Sequence, residues 1–177
     1  MTDRETVPDV SESTLVWRKA YLEKNWWLVK DGNTIASIRI GNIMKVKATG
    51  FYNDVHFNMI QKSGSCYDIE FLRANSSPQR GAFLFDQGDL TIRLEVKNMP
   101  VFFICLEPKL HSRLNFKMTD AKNNLISETE FHQSNIMGRS KFTLKAHPDP
   151  TLDPLFLAMM NLIGAYLITL MIALSIA

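Results

Sequence analysis

The sequence is poor in cysteine and close to neutral in charge. Its two cysteines, Cys66 and Cys105, are too few and too far apart for a disulfide framework or a metal knuckle. We expect them to be small core residues in a reducing, cytosol-facing protein. The formal net charge of +2 gives no sign of a nucleic-acid partner. The first 14 residues have no apolar run and carry four acidic side chains, so we predict a disordered tail over residues 1–14 and not a secretory signal.

Motifs for catalysis are also missing. The sequence contains no G-x-S-x-G elbow, no glycine-rich phosphate loop and no dinucleotide fingerprint. Glu128 and Glu130 share one face of a predicted strand, where a solvated surface explains them better than a catalytic carboxylate pair. The four histidines have no metal-ligand spacing and lie on separate segments, at His56, His111, His132 and His147. We therefore expect no enzymatic activity, no catalytic residue, no metal and no cofactor.

Between residues 15 and 146 the hydrophobic pattern has a period of two, which predicts β-strands. Thr91–Lys97 is the clearest case, because apolar and polar residues alternate throughout it. Turn residues typical of hairpins separate the runs, as at Asp31-Gly32. The predicted strands cover residues 15–21, 25–30, 34–40, 43–49, 54–60, 67–72, 82–86, 90–96, 101–106, 113–119, 125–131 and 139–146.

No amphipathic helix interrupts these strands. We therefore predict a mainly β domain over residues 15–177, built as a closed antiparallel barrel of about 12 strands, since closure removes exposed sheet edges. The strand side chains of so wide a barrel do not fill its interior by themselves. The apolar segment that remains is Leu155–Ala177. It follows Asp153-Pro154, a pair typical of a helix N-cap and a first helical position.

Leu155–Ala177 is uncharged and contains eleven Leu, Ile or Phe residues. As a helix it would be about 34 Å long, enough to cross a hydrocarbon core of about 30 Å. Tyr166 in its middle is unusual for a membrane span, where Tyr and Trp favour the ends. Two interpretations stay open on the residues alone, a membrane span or the core of the barrel. In either one the apolar contacts include Leu155, Phe156, Leu162, Ile163, Tyr166, Leu170 and Leu174.

Three segments resemble the tubby C-terminal-like superfamily, which comprises tubby domains, LURP-one-related proteins and phospholipid scramblases. Leu114–Glu128 (LNFKMTDAKNNLISE) is similar to that family's strand–D-x-x-G–strand hairpin, with Asn124 where glycine is more usual. Gly138–Ala146 resembles its closing strand before an apolar helix, and Trp26–Ile40 resembles another of its hairpins. The resemblance covers residues 15–177. It implies a barrel around a buried helix, without enzymatic activity, that acts at membranes through phospholipid or phosphoinositide contact.

Two groups of side chains are candidates for that contact. Phosphate head groups favour clustered cationic donors. Because consecutive strand residues point to opposite faces, one of Trp26 and Trp27 is expected to face outward, where it could meet a membrane interface. The candidate lipid-binding cations are Lys45, Lys47, Arg139, Lys141 and Lys145.

The sequence therefore predicts a non-enzymatic, membrane-associated module whose partner is an anionic phospholipid or membrane surface. We expect it on the cytoplasmic side of a membrane, peripheral or tail-anchored, and not secreted. The alternative is a tail-anchored membrane protein whose cytosolic β-domain serves protein interaction. A third interpretation is a protein that moves lipid between leaflets, although the calcium loop and cysteine cluster of scramblases are absent from this sequence.

Overall fold

The computed structural model describes residues 13–19, 25–41, 45–107, 113–132, 139–144 and 151–176. Twelve strands are followed by one helix, α1, at Pro154–Ile176. All predicted strands are present. They are β1 Ser13–Lys19, β2 Asn25–Lys30, β3 Asn33–Gly41, β4 Lys47–Tyr52, β5 Val55–Ser63, β6 Cys66–Arg73, β7 Gln79–Asp86, β8 Thr91–Val96, β9 Phe102–Glu107, β10 Arg113–Asp120, β11 Leu125–His132 and β12 Arg139–Leu144.

The strands form a closed antiparallel barrel, as predicted. Each strand pairs with its neighbours in sequence, and β1 closes the ring by pairing with β12, with Leu15 opposite Phe142. Alternate residues point inward, which gives β8 its regular succession of buried and more exposed positions. Hairpins connect consecutive strands of the barrel. The predicted Asp31-Gly32 turn has positive φ at both residues, 50° and 81°.

Helix α1 lies inside this barrel and forms its core. Its first part is surrounded by inward side chains, with the Phe156 ring 5.6 Å from the Phe71 ring and 6.4 Å from the Phe102 ring. Gly164 allows a close approach to β9, because a Cβ atom there would collide with the Ile104 side chain. The sequence left two interpretations open for this segment, and most of the helix is buried inside the barrel as the second of them predicts.

Most strand limits differ from the predicted ones by one to four residues, and two strands extend across a glycine that was predicted to lie outside them. We predicted a strand over residues 43–49 and a loop through residue 81, whereas β4 includes Gly50 and β7 includes Gly81. A side chain at Gly50 would collide with the Ser37 carbonyl and the Phe57 ring, and one at Gly81 would collide with the Glu95 carbonyl. Here glycine permits close packing within a strand and does not mark a turn.

Two further predictions are corrected. The tail was predicted to extend to residue 14, but β1 begins at Ser13, which pairs with Leu144; residues 1–12 are outside the described residues. The cysteines were expected in the core. Both Cys66 and Cys105 are free thiols at half-buried positions that alternate with the inward residues of their strands. Burial raises the pKa of the Cys105 thiol.

Candidate functional site: a basic face and the lower end of the barrel

The helix gives the barrel two distinguishable ends. We call the end where α1 begins the upper end; there the β4–β5 turn residue Asn53 donates a hydrogen bond of 2.8 Å to Asp153. Because the strands alternate in direction, odd-numbered strands start at the upper end and even-numbered strands start at the opposite, lower end. Helix α1 runs from the upper end towards the lower end.

Asp153 caps the helix in the way that the sequence predicts. Its Oδ1 accepts a hydrogen bond of 2.8 Å from the backbone N–H of Leu155, and its carbonyl accepts one of 3.2 Å from Leu157. Burial, and secondarily the Asp153 carboxylate, raises the pKa of Tyr52 on β4. The cap therefore ties the start of the helix to the β4–β5 corner.

The predicted lipid-binding cations lie near the lower end as far as they are described. Lys45 and Lys47 are exposed before and at the start of β4, and Lys141 is exposed near the start of β12. Arg139 begins β12 opposite Arg18 of β1, although its side chain is outside the described residues. Lys145 is outside the described residues altogether.

These cations belong to a larger surface that the sequence pattern does not predict. Barrel closure places β12, β1, β2, β3 and β4 side by side, and none of these five strands contains Asp or Glu. We call their outer surface the basic face. It adds Arg18 and Arg39, both exposed and near the lower end. Among the described residues, the exposed cations Arg18, Arg39, Lys45, Lys47 and Lys141 form no ion pair.

The other seven strands carry charges of both signs, and several of these neutralise each other. We call this outer surface the paired face. Its ion pairs include Lys62–Asp68 and Arg80–Glu70, each at 3.0 Å, and Lys117 with Glu107. A groove of about 820 Å³ on this face runs between β5 and β8 over Gly81 and is bordered by such pairs. The electrostatic field of the barrel is therefore polarised around its circumference.

The two predicted tryptophans differ in environment. Trp26 points inward at the lower mouth, where only 8% of it is exposed, its ring lies 5.9 Å from that of Phe131, and Lys19 lies 5.6 Å above it. Trp27 is half-buried on the outer side. It is in register with Ser37 of β3, which is in register with the 38%-exposed Phe51 of β4. The basic face thus interleaves aromatic rings with cations.

The predicted helix residues divide between core and surface. Phe156, Leu162 and Ile163 are buried, whereas Leu174 is 53% exposed. The only buried polar side chain described on the helix is Asn161, whose amide donates a hydrogen bond of 3.0 Å to Ser127 Oγ on β11. The remaining predicted helix contacts are half-buried, at Leu155, Tyr166 and Leu170.

Potential catalytic groups are dispersed in the described part of the chain. His56 is exposed on β5 beside Phe51, and the centroids of the two rings are 6.1 Å apart. His111, His147 and the side chain of His132 are outside the described residues. Across the described ranges no three His, Cys, Asp or Glu side chains gather as metal ligands would. Glu128 and Glu130 lie on β11 beside β12.

The fold and its surfaces define a class: a closed twelve-stranded antiparallel barrel around a C-terminal helix, with one acid-free basic face. Comparisons with protein-family models, curated proteins and solved structures find no match to this chain.

Proposed function

We propose that this barrel is a non-enzymatic, membrane-associated module of the tubby- and scramblase-like kind, which binds anionic phospholipid surfaces through its basic face. The observation that carries the proposal is the contrast in charge around the barrel. Five adjacent strands present exposed cations and no carboxylate, whereas the lysine and arginine side chains that the structure describes on the other strands form ion pairs. A cation held near an anionic membrane contributes about 1 kcal/mol to binding.

The aromatic residues of the basic face favour a bilayer over a soluble anion. Trp and Tyr concentrate at membrane–water interfaces because their rings are amphipathic. Half-buried Trp27 and exposed Phe51 lie on the same outer surface as Arg18 and Arg39, so rings and cations can meet head groups together. A face of this kind also suits phosphoinositides, whose clustered phosphates accept several cationic donors.

Charge reversal at matched positions tests the proposal. Lys45→Glu/Lys47→Glu alters the basic face, and Lys97→Glu/Lys122→Glu makes the same change in net charge at exposed lysines of the upper-end turns. Binding to phosphatidylcholine vesicles with and without phosphatidylserine is measured by co-sedimentation. We expect anionic vesicles to bind the wild type, and the first variant to bind at least about tenfold more weakly because two cations are lost from the interface. The control variant should bind within about twofold of the wild type.

Two results would contradict the proposal. Wild-type protein that fails to bind anionic vesicles has no such function, and equal losses in the two variants would indicate an effect of net charge alone. If an oligonucleotide displaces the protein from anionic vesicles as effectively as an excess of unlabelled anionic vesicles does, the basic face is a nucleic-acid binding surface.

The tail-anchored alternative has one observation in its favour. Pro154–Ser175 has a mean hydropathy of 2.1 and is long and apolar enough to cross a membrane. Against it, 67% of the window that meets this criterion is buried inside the barrel. A membrane span would require the helix to leave the barrel and expose the aromatic core around Phe156. Truncation of the helix separates the two functions, as described in the Discussion.

A further inference from the structure

Helix α1 is longer than the barrel that surrounds it. Its 23 residues correspond to a length of about 34 Å. Strands of six to nine residues that are tilted by about 40° to the barrel axis span only about 15–23 Å along that axis. The last buried residue of the helix is accordingly Ile168. Residues 169–175, which we call the projecting turns, leave the closed part of the barrel at the lower end: Leu170, Met171 and Ile172 still pack against the edge of the core, and residues 173–175 are exposed.

The projecting turns have the chemistry of a membrane-inserted segment. They contain no charged residue, and Leu174 is more exposed than any other large apolar side chain of the described residues. Their two hydroxyl groups need no water: Thr169 donates to the Ala165 carbonyl and Ser175 to the Met171 carbonyl, both at 2.8 Å. A hydroxyl bonded within its own helix can enter hydrocarbon without an unsatisfied polar group.

The surroundings of the projecting turns identify the partner. The lower end also carries Lys19 at the barrel mouth and Lys45 and Lys47 on the adjoining basic face. An apolar projection at the same end of the barrel as these cations is complementary to a bilayer with anionic head groups, since the cations meet phosphates while the apolar side chains enter the acyl region.

We infer that the projecting turns of α1 are a membrane-penetrating tip, which enters the hydrocarbon of an anionic bilayer while the basic face holds its head groups. The inference rests on the proposed function and adds to it the depth to which α1 enters the membrane and the orientation of the barrel on the membrane. The barrel docks tilted, because the β7–β8 turn lies on the opposite side of the lower end and carries exposed Asp86 and Asp89. Repulsion keeps that side away from the anionic surface.

Spin labels measure the depth and the tilt. In a Cys66→Ser/Cys105→Ser background, a nitroxide is attached at Leu174→Cys or at Asp89→Cys, and its collisions with oxygen and with a water-soluble nickel complex are recorded. On vesicles containing phosphatidylserine, we expect the label at 174 to gain oxygen access and lose nickel access, whereas the label at 89 stays aqueous. A label at 174 that remains aqueous on bound protein overturns the tip, and a label at 89 that enters hydrocarbon overturns the tilt.

Binding of a charged variant gives an independent test. Leu174→Glu places a carboxylate on the tip, and Leu72→Glu places one at a 42%-exposed leucine near the upper end. We expect Leu174→Glu to weaken binding to anionic vesicles by about tenfold or more, and Leu72→Glu by less than about threefold. Near-ultraviolet circular dichroism verifies that both variants keep the wild-type fold.

The outcomes separate this inference from the proposed function. If wild-type protein and Leu174→Glu bind anionic vesicles equally and lose binding only when Lys45 and Lys47 are reversed, the basic face functions without a tip and the inference is wrong. If the wild type binds no anionic vesicle, both proposals fail. If the label at 174 is protected only as the protein dimerises without lipid, the projecting turns are a contact between copies of the chain.

Discussion

The two parts of α1 are similar in composition, yet the barrel surrounds only one of them. Residues 154–168 are rich in Leu, Ile and Met and are mostly buried, and the projecting turns contain the same residue types at partly or largely exposed positions. The difference arises from the height of the barrel and not from the apolar content of the helix. An apolar helix can therefore serve as a core over one part and offer a binding surface over the next.

Truncation at two points should separate these parts most strongly. A chain ending at Asp153 loses the helix against which the inward strand side chains pack, so we expect loss of its near-ultraviolet circular dichroism and aggregation. A chain ending at Ile168 keeps the buried part and should stay folded, with a loss of about 2–4 kcal/mol of unfolding free energy from the partly buried Leu170, Met171 and Ile172. If the chain ending at Asp153 stays folded and moves from the membrane to the soluble fraction of a lysate, the helix is an anchor and the tail-anchored alternative is correct.

Single leucines test the same contrast at finer scale. Leu162→Ala removes a fully buried side chain and should lower the free energy of unfolding by about 2–5 kcal/mol. Leu174→Ala should change it by less than about 0.5 kcal/mol, because the site is already half exposed. Urea unfolding of both variants provides the measurement. Equal losses would mean that the projecting turns are packed against the barrel as firmly as the core.

The hydrogen bond between Asn161 and Ser127 inside the barrel should make the stability effect of a substitution at one residue depend on the other. Ser127→Ala leaves the buried Asn161 amide without an acceptor and should cost about 1–3 kcal/mol. Ser127→Ala/Asn161→Leu removes both polar groups, including the Asn161 oxygen that lacks a partner, and should recover most of that loss. A double variant no more stable than Ser127→Ala would contradict this account.

Alkaline pH should destabilise the folded barrel through buried or half-buried tyrosines on β4 and α1. Burial raises the pKa of Tyr52 and Tyr166 in the folded protein above the ordinary value of 10.0. A raised folded-state pKa contributes stability that is complete below the unfolded-state pKa and is lost as pH rises above it. We expect Tyr52 to lower the unfolding free energy by about 1 kcal/mol per pH unit above about pH 10, and Tyr166 to act in the same direction. Tyr52→Phe should make the decline shallower in urea unfolding at successive pH values; an unchanged slope would exclude Tyr52 as a source.

Strand alternation made the barrel predictable, because burial on one face imposes a period of two wherever a strand occurs. The limits of β4 and β7 were not predictable from the same pattern. Gly50 and Gly81 are sites of close approach between strands, and the sequence does not distinguish this use of glycine from a turn.

The candidate surface could be predicted only in fragments. Lys45 and Lys47 were predicted as one group and Lys141 as part of another. Their arrangement on one face depends on closure between β1 and β12, which brings an acid-free strand from the end of the sheet beside the first four strands. The projecting turns were hidden for a different reason. Their exposure depends on strand tilt and barrel height, which are properties of the assembled sheet.

Closure of the barrel also has a consequence for how the protein is made. Ser13 must wait for Leu144 to be synthesised before the first and last strands can pair, and the helix that fills the interior follows all twelve strands in the sequence. Contacts of such long sequence separation form late and slow folding. A nascent chain with its strands complete would therefore expose a hollow apolar sheet with two open edges until α1 arrives. During that interval we expect the chain to be a client of chaperones that bind exposed apolar strands.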